Sequence, residues 1–185
     1  MTHRLQFAAF RSPADSGWAE AMTIYREAFP PRERRNEEDT VAALTDPAFR
    51  AESIRVDRQV AGILFYWLFG ASYYVEYLAV SPALRGRNIG AEALAEFCRG
   101  KRVILEIEPP EEPLAVRRKH FYERAGFVAN PHAYIHPSYG CPTEPHPLVL
   151  MSFPDPLTND EARGFADFVR EKVLRYSQLE HPGYK

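Results

Sequence analysis

The chain has 185 residues, 45% hydrophobic, 13% aromatic and 26% charged, which supplies the apolar area of one folded domain and excludes a disordered chain. A net charge of −2, with a pI near 6.3, lacks the basic excess of a general nucleic-acid binder. The longest apolar stretch, Val60 to Tyr77, is interrupted by Gly62, Gly70, Ser72 and Glu76, so no membrane partner is expected.

The first residues lack the apolar core and cleavage site of a secretory signal, and two cysteines make no disulfide framework, so the expected location is cytoplasmic. Leu5 to Phe10 reads as a first strand. From Ala14 to Phe29, Trp18, Met22, Tyr25 and Phe29 share one helical face, and Pro30-Pro31 ends that helix. After the charged connector Arg32-Glu33-Arg34-Arg35, Asn36 is placed to cap a second helix that begins Glu37-Glu38-Asp39.

Strands are expected at Phe49 to Val56, Val60 to Phe69 and Tyr73 to Ser81, forming an antiparallel meander whose middle strand is apolar on both faces. A glycine-bearing loop, Leu84 to Gly90, leads into a helix from about Asn88 to Arg99 with Ala91, Leu94, Ala95 and Cys98 as its apolar stripe. Val103 to Glu108 is a further strand. A helix from Leu114 to Ala125 follows, with Gly126 at its C′ position. Late strands at Phe127 to Ala129 and Leu148 to Phe153 flank a loop rich in proline, histidine and tyrosine. Thr158 to Ser177 reads as an amphipathic helix carrying Phe165, Val169, Val173 and Tyr176 on one side. The order indicates one α+β domain over 1–185 around a mixed sheet, with no repeat or linker.

The segment VEYLAVSPALRGRNIGAEAL is a strand, a basic glycine-bearing turn and a helix. The first amides of a helix lack intrahelical partners and sit at the positive end of its dipole, so this turn suits a phosphorylated ligand, with Arg85 and Arg87 adding charge. Neither the P-loop nor the dinucleotide fingerprint is present. Arg85-Gly86-Arg87-Asn88-Ile89-Gly90 resembles the acetyl-CoA loop R/Q-x-x-G-x-G/A of the GNAT acetyltransferases, with Asn88 in place of the first glycine. Asn tolerates the left-handed backbone that such a turn uses. Downstream, RKHFYERAGF resembles the family segment A-x-x-F-Y-x-x-x-G-F, with Arg118 in place of the small residue. The two motifs stand in the family's order, and the resemblance covers residues 4–153, leaving a C-terminal helical extension at about 158–178.

The resemblance implies a three-layer fold, a mixed and mostly antiparallel sheet flanked by helices. It also implies transfer of an acetyl group from acetyl-CoA to a primary amine by direct attack. The backbone of Arg85, Gly86, Arg87, Asn88, Ile89, Gly90 and Ala91 would hold the pyrophosphate, and amides of Leu78, Ala79 or Val80 the thioester carbonyl. Tyr122 would protonate the departing thiolate, or else is a core aromatic with its hydroxyl at the surface. Glu76 is the candidate base, or a cross-strand charge partner; by strict alternation it shares a face with Tyr74, Leu78 and Val80.

The acceptor, a small-molecule or peptide amine, is expected to meet Arg32, Tyr66, Trp67 and Tyr74. The arginines of FPPRERR either attract an anionic group or form a solvated turn. His132, His136, Cys141 and His146 match no compact zinc spacing, so no metal is expected; their loop reads as an acceptor wall or a homodimer contact. Neither Cys98 nor Cys141 has the setting of a nucleophile. Two other readings compete: a non-catalytic acyl-CoA-binding module, and a protein-interaction domain using the late loop and last helix.

Overall fold

A computed structural model describes residues 4–140 and 146–177. β1 (Leu5–Phe10) precedes α1 (Trp18–Ala28), whose Trp18, Met22 and Tyr25 are buried as their spacing predicts. A 3-10 turn at Pro31–Glu33 leads to α2 (Glu37–Ala43), and Asn36 Oδ1 accepts the Asp39 N–H at 2.7 Å, the expected cap. β2 (Phe49–Val56), β3 (Gln59–Phe69) and β4 (Ser72–Val80) form the meander. Then come α3 (Ile89–Cys98), β5 (Arg102–Ile107) and α4 (Pro113–Arg124). At the end of α4, Gly126 has φ 90, its N–H donates to the Glu123 carbonyl and the Phe127 N–H to the Tyr122 carbonyl, each at 3.0 Å. Only a residue tolerant of positive φ closes a helix this way.

The remaining elements are β6 (Val128–Ala129), β7 (Ile135–His136), β8 (His146–Pro147), β9 (Val149–Phe153) and α5 (Asn159–Glu171), with a 3-10 turn at Val173–Tyr176. The main sheet has seven strands in the order β1-β2-β3-β4-β5-β9-β6; β7 and β8 pair separately inside the late loop. β4 and β5 run parallel, and the other pairings in the sheet are antiparallel. One face of the sheet packs on α1 and α5, the other on α3 and α4, giving three layers. α5 covers the sheet: Phe165 packs on Phe69 and Tyr74, and Phe168 on Phe69 and Trp67. Burying an aromatic of this size contributes about 1.5–3 kcal/mol.

Two details depart from expectation. The buried stripe of α3 is Ile89, Ala93, Leu94, Phe97 and Cys98, so Ala91 and Ala95 turn outward. Strict alternation also fails in β4. Phe65 pairs with Tyr77 but Tyr66 with Val75, leaving Glu76 as the extra residue of a β-bulge. Tyr74 and Tyr77 therefore lie on the α1/α5 face, and Val75, Leu78 and Val80 on the α3/α4 face.

Candidate functional site

The loop between β4 and α3 folds as its residue types dictate. Asn88 adopts φ 64 and ψ 4, the left-handed conformation in which asparagine substitutes for glycine most readily. A Cβ on Gly90 would approach Val80 Cγ2 to 3.3 Å, so glycine lets the first turn of α3 lie close against β4. The Arg85 Nε–H donates to the Val80 carbonyl at 3.3 Å and pins the loop to the strand end. The first intrahelical bond runs from the Glu92 N–H to the Asn88 carbonyl, so the amides of Ile89, Gly90 and Ala91 point out of the helix end. They open on a groove of about 710 Å³ whose far wall is α4. Arg117, Phe121 and Arg124 form that wall at spacings of four and three, one face of a helix, a signal present in the sequence but unread there.

β4 and β5 hydrogen-bond only from Ser72/Arg102 to Val75/Leu105. Beyond that point they part, and a gap of about 230 Å³ opens between Glu76–Val80 and Glu106. Amide directions on β4 follow from fixed neighbours. The Ser81 N–H donates to Ala61 on β3, and the Ala79 carbonyl faces Gly62 on the same strand. Alternation then turns the amides of Leu78 and Val80 into the gap and that of Ala79 away from it. Tyr122 lines the gap. Burial pushes its phenol up to about 12, against a smaller opposing effect of Arg118, so it remains protonated at neutral pH.

A third space, of about 80 Å³, lies beyond the gap toward the late loop. Val80 and Arg85 line both groove and gap; Phe29, Glu76, Glu106 and Arg118 line both gap and pocket. The three spaces thus adjoin one another in order from the end of α3 to the late loop.

The two carboxylates at this junction differ sharply. Glu76 accepts from Arg35 Nη1 at 2.8 Å and Nη2 at 2.6 Å, from Trp67 Nε1 at 2.8 Å and from the Tyr139 hydroxyl at 2.6 Å. Its side chain is 1% exposed and that of Arg35 0%. Burial alone would lower the Arg35 guanidinium, but Glu76, then Tyr77, Tyr139 and Tyr25, outweigh it and hold its pKa raised. The expectation of a general base at Glu76 does not match this geometry, since its oxygens are already occupied by donors. By contrast, Glu106 Oε2 accepts from the Tyr74 hydroxyl at 2.8 Å, while the buried Oε1 makes no well-formed hydrogen bond among the described residues. Burial and then the nearby Glu106 carboxylate hold the Tyr134 phenol well above its usual pKa.

The other expected acceptor residues divide. Tyr74 reaches the pocket wall. Trp67 is fully buried beneath Glu76 and supports it rather than facing the pocket. Tyr66 lies on the opposite face, packed on Phe97 with its hydroxyl donating to Glu52, as strict alternation along β3 places it across from Trp67. Arg32 is a solvated side chain beside Glu33, 67% exposed, and Arg34 donates to the Phe29 carbonyl. Of the FPPRERR run, Arg35 alone enters the core. Cys98 is buried and its thiol is pushed up to about 12 by burial, unsuited to nucleophilic attack; Cys141 lies outside the described residues. No group of three metal-ligating side chains occurs among the described residues, and no helix among them is long and apolar enough to cross a membrane.

Residues 47–129 match the profile of the Acetyltransferase (GNAT) domain. Over 113 residues the chain is 29% identical to YjbC of Bacillus subtilis (strain 168), a protein named for an inferred acetyltransferase activity. That match spans 60% of this chain and 56% of the relative. A Bacteroides thetaiotaomicron protein assigned to the GNAT family superposes with a TM-score of 0.84 at 29% identity, covering 91% of this chain and 98% of its own. A GNAT acetyltransferase from Elizabethkingia anophelis, solved with acetyl-CoA bound, has a TM-score of 0.58 at 10% identity over 82% of this chain and 98% of its own, a likeness of fold.

Proposed function

We propose that the chain is a GNAT acetyltransferase that moves an acetyl group from acetyl-CoA to a primary amine by direct attack. One observation carries this reading: the basic groove at the end of α3, the gap between β4 and β5 and the pocket beyond adjoin in that order and share wall residues. A phosphorylated donor fits the first, its thioester the second and an amine the third.

The donor set of the groove suits a pyrophosphate. The amides of Ile89, Gly90 and Ala91 converge at the positive end of α3, and Arg85, Arg117 and Arg124 bring guanidinium groups to the same space. Acetyl-CoA, when bound, supplies an activated acyl group. The amides of Leu78 and Val80 then stabilise negative charge on the carbonyl oxygen, a contribution in which each donor is worth about 100- to 1,000-fold in rate. Tyr122 gives its proton to the departing sulfur. A phenol held protonated by burial serves this role, and the open gap lets it approach the sulfur. The bulged Glu76 aids indirectly, as Arg35, Trp67 and Tyr139 hold it in place and keep the two strands apart.

Thiol release from acetyl-CoA across a panel of amines, beside calorimetric titration of wild type and Gly90→Glu with acetyl-CoA, tests the proposal. One-site binding abolished in the variant, with amine-dependent thiol release, is expected. Binding without turnover on any amine would indicate a non-catalytic acyl-CoA module, and no binding by the folded protein would overturn the reading.

A further inference from the structure

We propose that Glu106, with His136 and Tyr74 beside it, is the acceptor subsite: it receives a compact primary amine as its cation and takes the proton that must leave before attack. This rests on the acetyltransferase reading for its chemistry, but the cation site follows from polar atoms that the fold leaves unsatisfied. Buried polar atoms normally find partners, and each that does not costs about 1–3 kcal/mol. Here several such atoms lie together. Glu106 Oε1, both ring nitrogens of His136 and the Tyr134 hydroxyl are buried without a well-formed hydrogen bond among the described residues. The Tyr134 hydroxyl nevertheless lies close enough to Glu106 that, after burial, this carboxylate raises its pKa. His136 is only 2% exposed, and His136 and Glu106 both line the pocket. His136 Nε2 stands 3.9 Å from Glu106 Oε2, too far for a hydrogen bond yet near enough to interact with its charge.

The wall sets the class of ligand. It carries Glu33, Glu76, Glu106 and Glu108. Glu33 is paired with Arg32, Glu76 with Arg35 and Glu108 with Arg118, which leaves Glu106 as the carboxylate of the wall without a guanidinium partner among the described residues. Phe29, Tyr77 and Tyr139 complete it with aromatic surface, which suits a cation on an alkyl stem. A carboxylate next to the amine meets like charge, so simple alkylamines are preferred over α-amino acids. Glu106 also faces the gap that Tyr122 lines, so a nitrogen at Glu106 stands at the entrance to the thioester space.

The protons balance. One passes from the ammonium to the Glu106 carboxylate and is handed to His136 once its Nε2, 3.9 Å from Glu106 Oε2, closes to hydrogen-bond distance. The more exposed His146, 5.9 Å from His136 centroid to centroid, lies on the way out. The neutral nitrogen forms the C–N bond as the C–S bond breaks. The second proton lost from nitrogen offsets the one that Tyr122 gives to sulfur, and the third remains on the amide.

The test uses n-butylamine, glycine and 2,2,2-trifluoroethylamine, the last of which is neutral at pH 7 because fluorine withdraws charge from nitrogen. Binding of n-butylamine is measured calorimetrically with CoA present, and turnover by thiol release, on wild type, Glu106→Gln and His136→Gln. Wild type is expected to favour n-butylamine over glycine at least tenfold. Glu106→Gln should weaken n-butylamine binding at least tenfold and lower its kcat/KM about 100- to 1,000-fold. With trifluoroethylamine, which arrives deprotonated, the variant should stay within about tenfold of wild type. A merely structural role would depress both amines equally and would overturn the inference. Equal turnover of n-butylamine by wild type and variant would overturn it while leaving acetyl transfer intact. Binding that depends on Glu106 without any turnover would uphold the cation site and sink the transferase reading. No binding and no turnover would sink both. If Glu106→Gln fails to fold, His136→Gln decides: a fall in n-butylamine turnover spared with trifluoroethylamine supports the relay, and an unchanged rate overturns it.

Discussion

Glu76 and Glu106 lie on neighbouring strands at the mouth of the same gap, yet their surroundings are opposite. Glu76 meets three donor side chains, one of them bidentate, and has a buried guanidinium as partner. Glu106 accepts one hydrogen bond, from Tyr74, lies beside the Tyr134 hydroxyl and keeps a buried oxygen without a well-formed hydrogen bond among the described residues. A carboxylate saturated with donors is held in place and cannot easily accept a proton from a substrate. A half-satisfied one retains that capacity at a cost in stability. Stability and chemistry are therefore separated onto adjacent strands.

Removing the partner of the saturated carboxylate should have the largest effect on folding. Arg35→Met strands the Glu76 charge in the interior. Breaking a buried pair in this way costs about 3–5 kcal/mol. For a chain of this size that lowers the unfolding temperature by about 6–20 °C, readable by thermal denaturation. Adding Glu76→Leu should recover part of the loss, because the uncompensated charge is gone. A single variant as stable as wild type would show that the cluster does not anchor the bulge.

A smaller free-energy effect, but confined to chemistry, is expected at Tyr122. Tyr122→Phe should lower kcat about 100-fold while leaving acetyl-CoA affinity within about twofold, since the ring packing on Phe121 and Phe127 is retained. Loss of affinity with unchanged kcat would instead place Tyr122 among the donor-binding residues.

Much of the architecture was legible because it rests on local signals. The Asn36 cap, the Gly126 terminus, the meander and the two motifs around α3 and α4 are each set by a few neighbouring residues. The acceptor side was not, and the reason is specific. A single bulge at Glu76 shifts the period of β4, so alternation put Leu78 and Val80 on the same face as Glu76, whereas they lie on the other. Arg35 was hidden in a charged run of a kind that usually stays in water, and its partner lies 41 positions away. Glu106 gave no signal, and His136 was read only as one member of a histidine-bearing loop that could wall the acceptor site, since only the fold brings the two together. By contrast, the Arg117, Phe121 and Arg124 spacing was there to be read on α4.

The most direct test of this division compares Glu76→Gln with Glu106→Gln, measuring the unfolding temperature and kcat/KM for n-butylamine on the same preparations. Glu76→Gln should show the larger fall in unfolding temperature. Glu106→Gln, which keeps an acceptor for Tyr74, should unfold within about 2 °C of wild type yet lose about 100- to 1,000-fold in kcat/KM. A Glu106→Gln enzyme with full activity, beside a Glu76→Gln protein that folds normally and is inactive, would return the base to Glu76 and contradict the account.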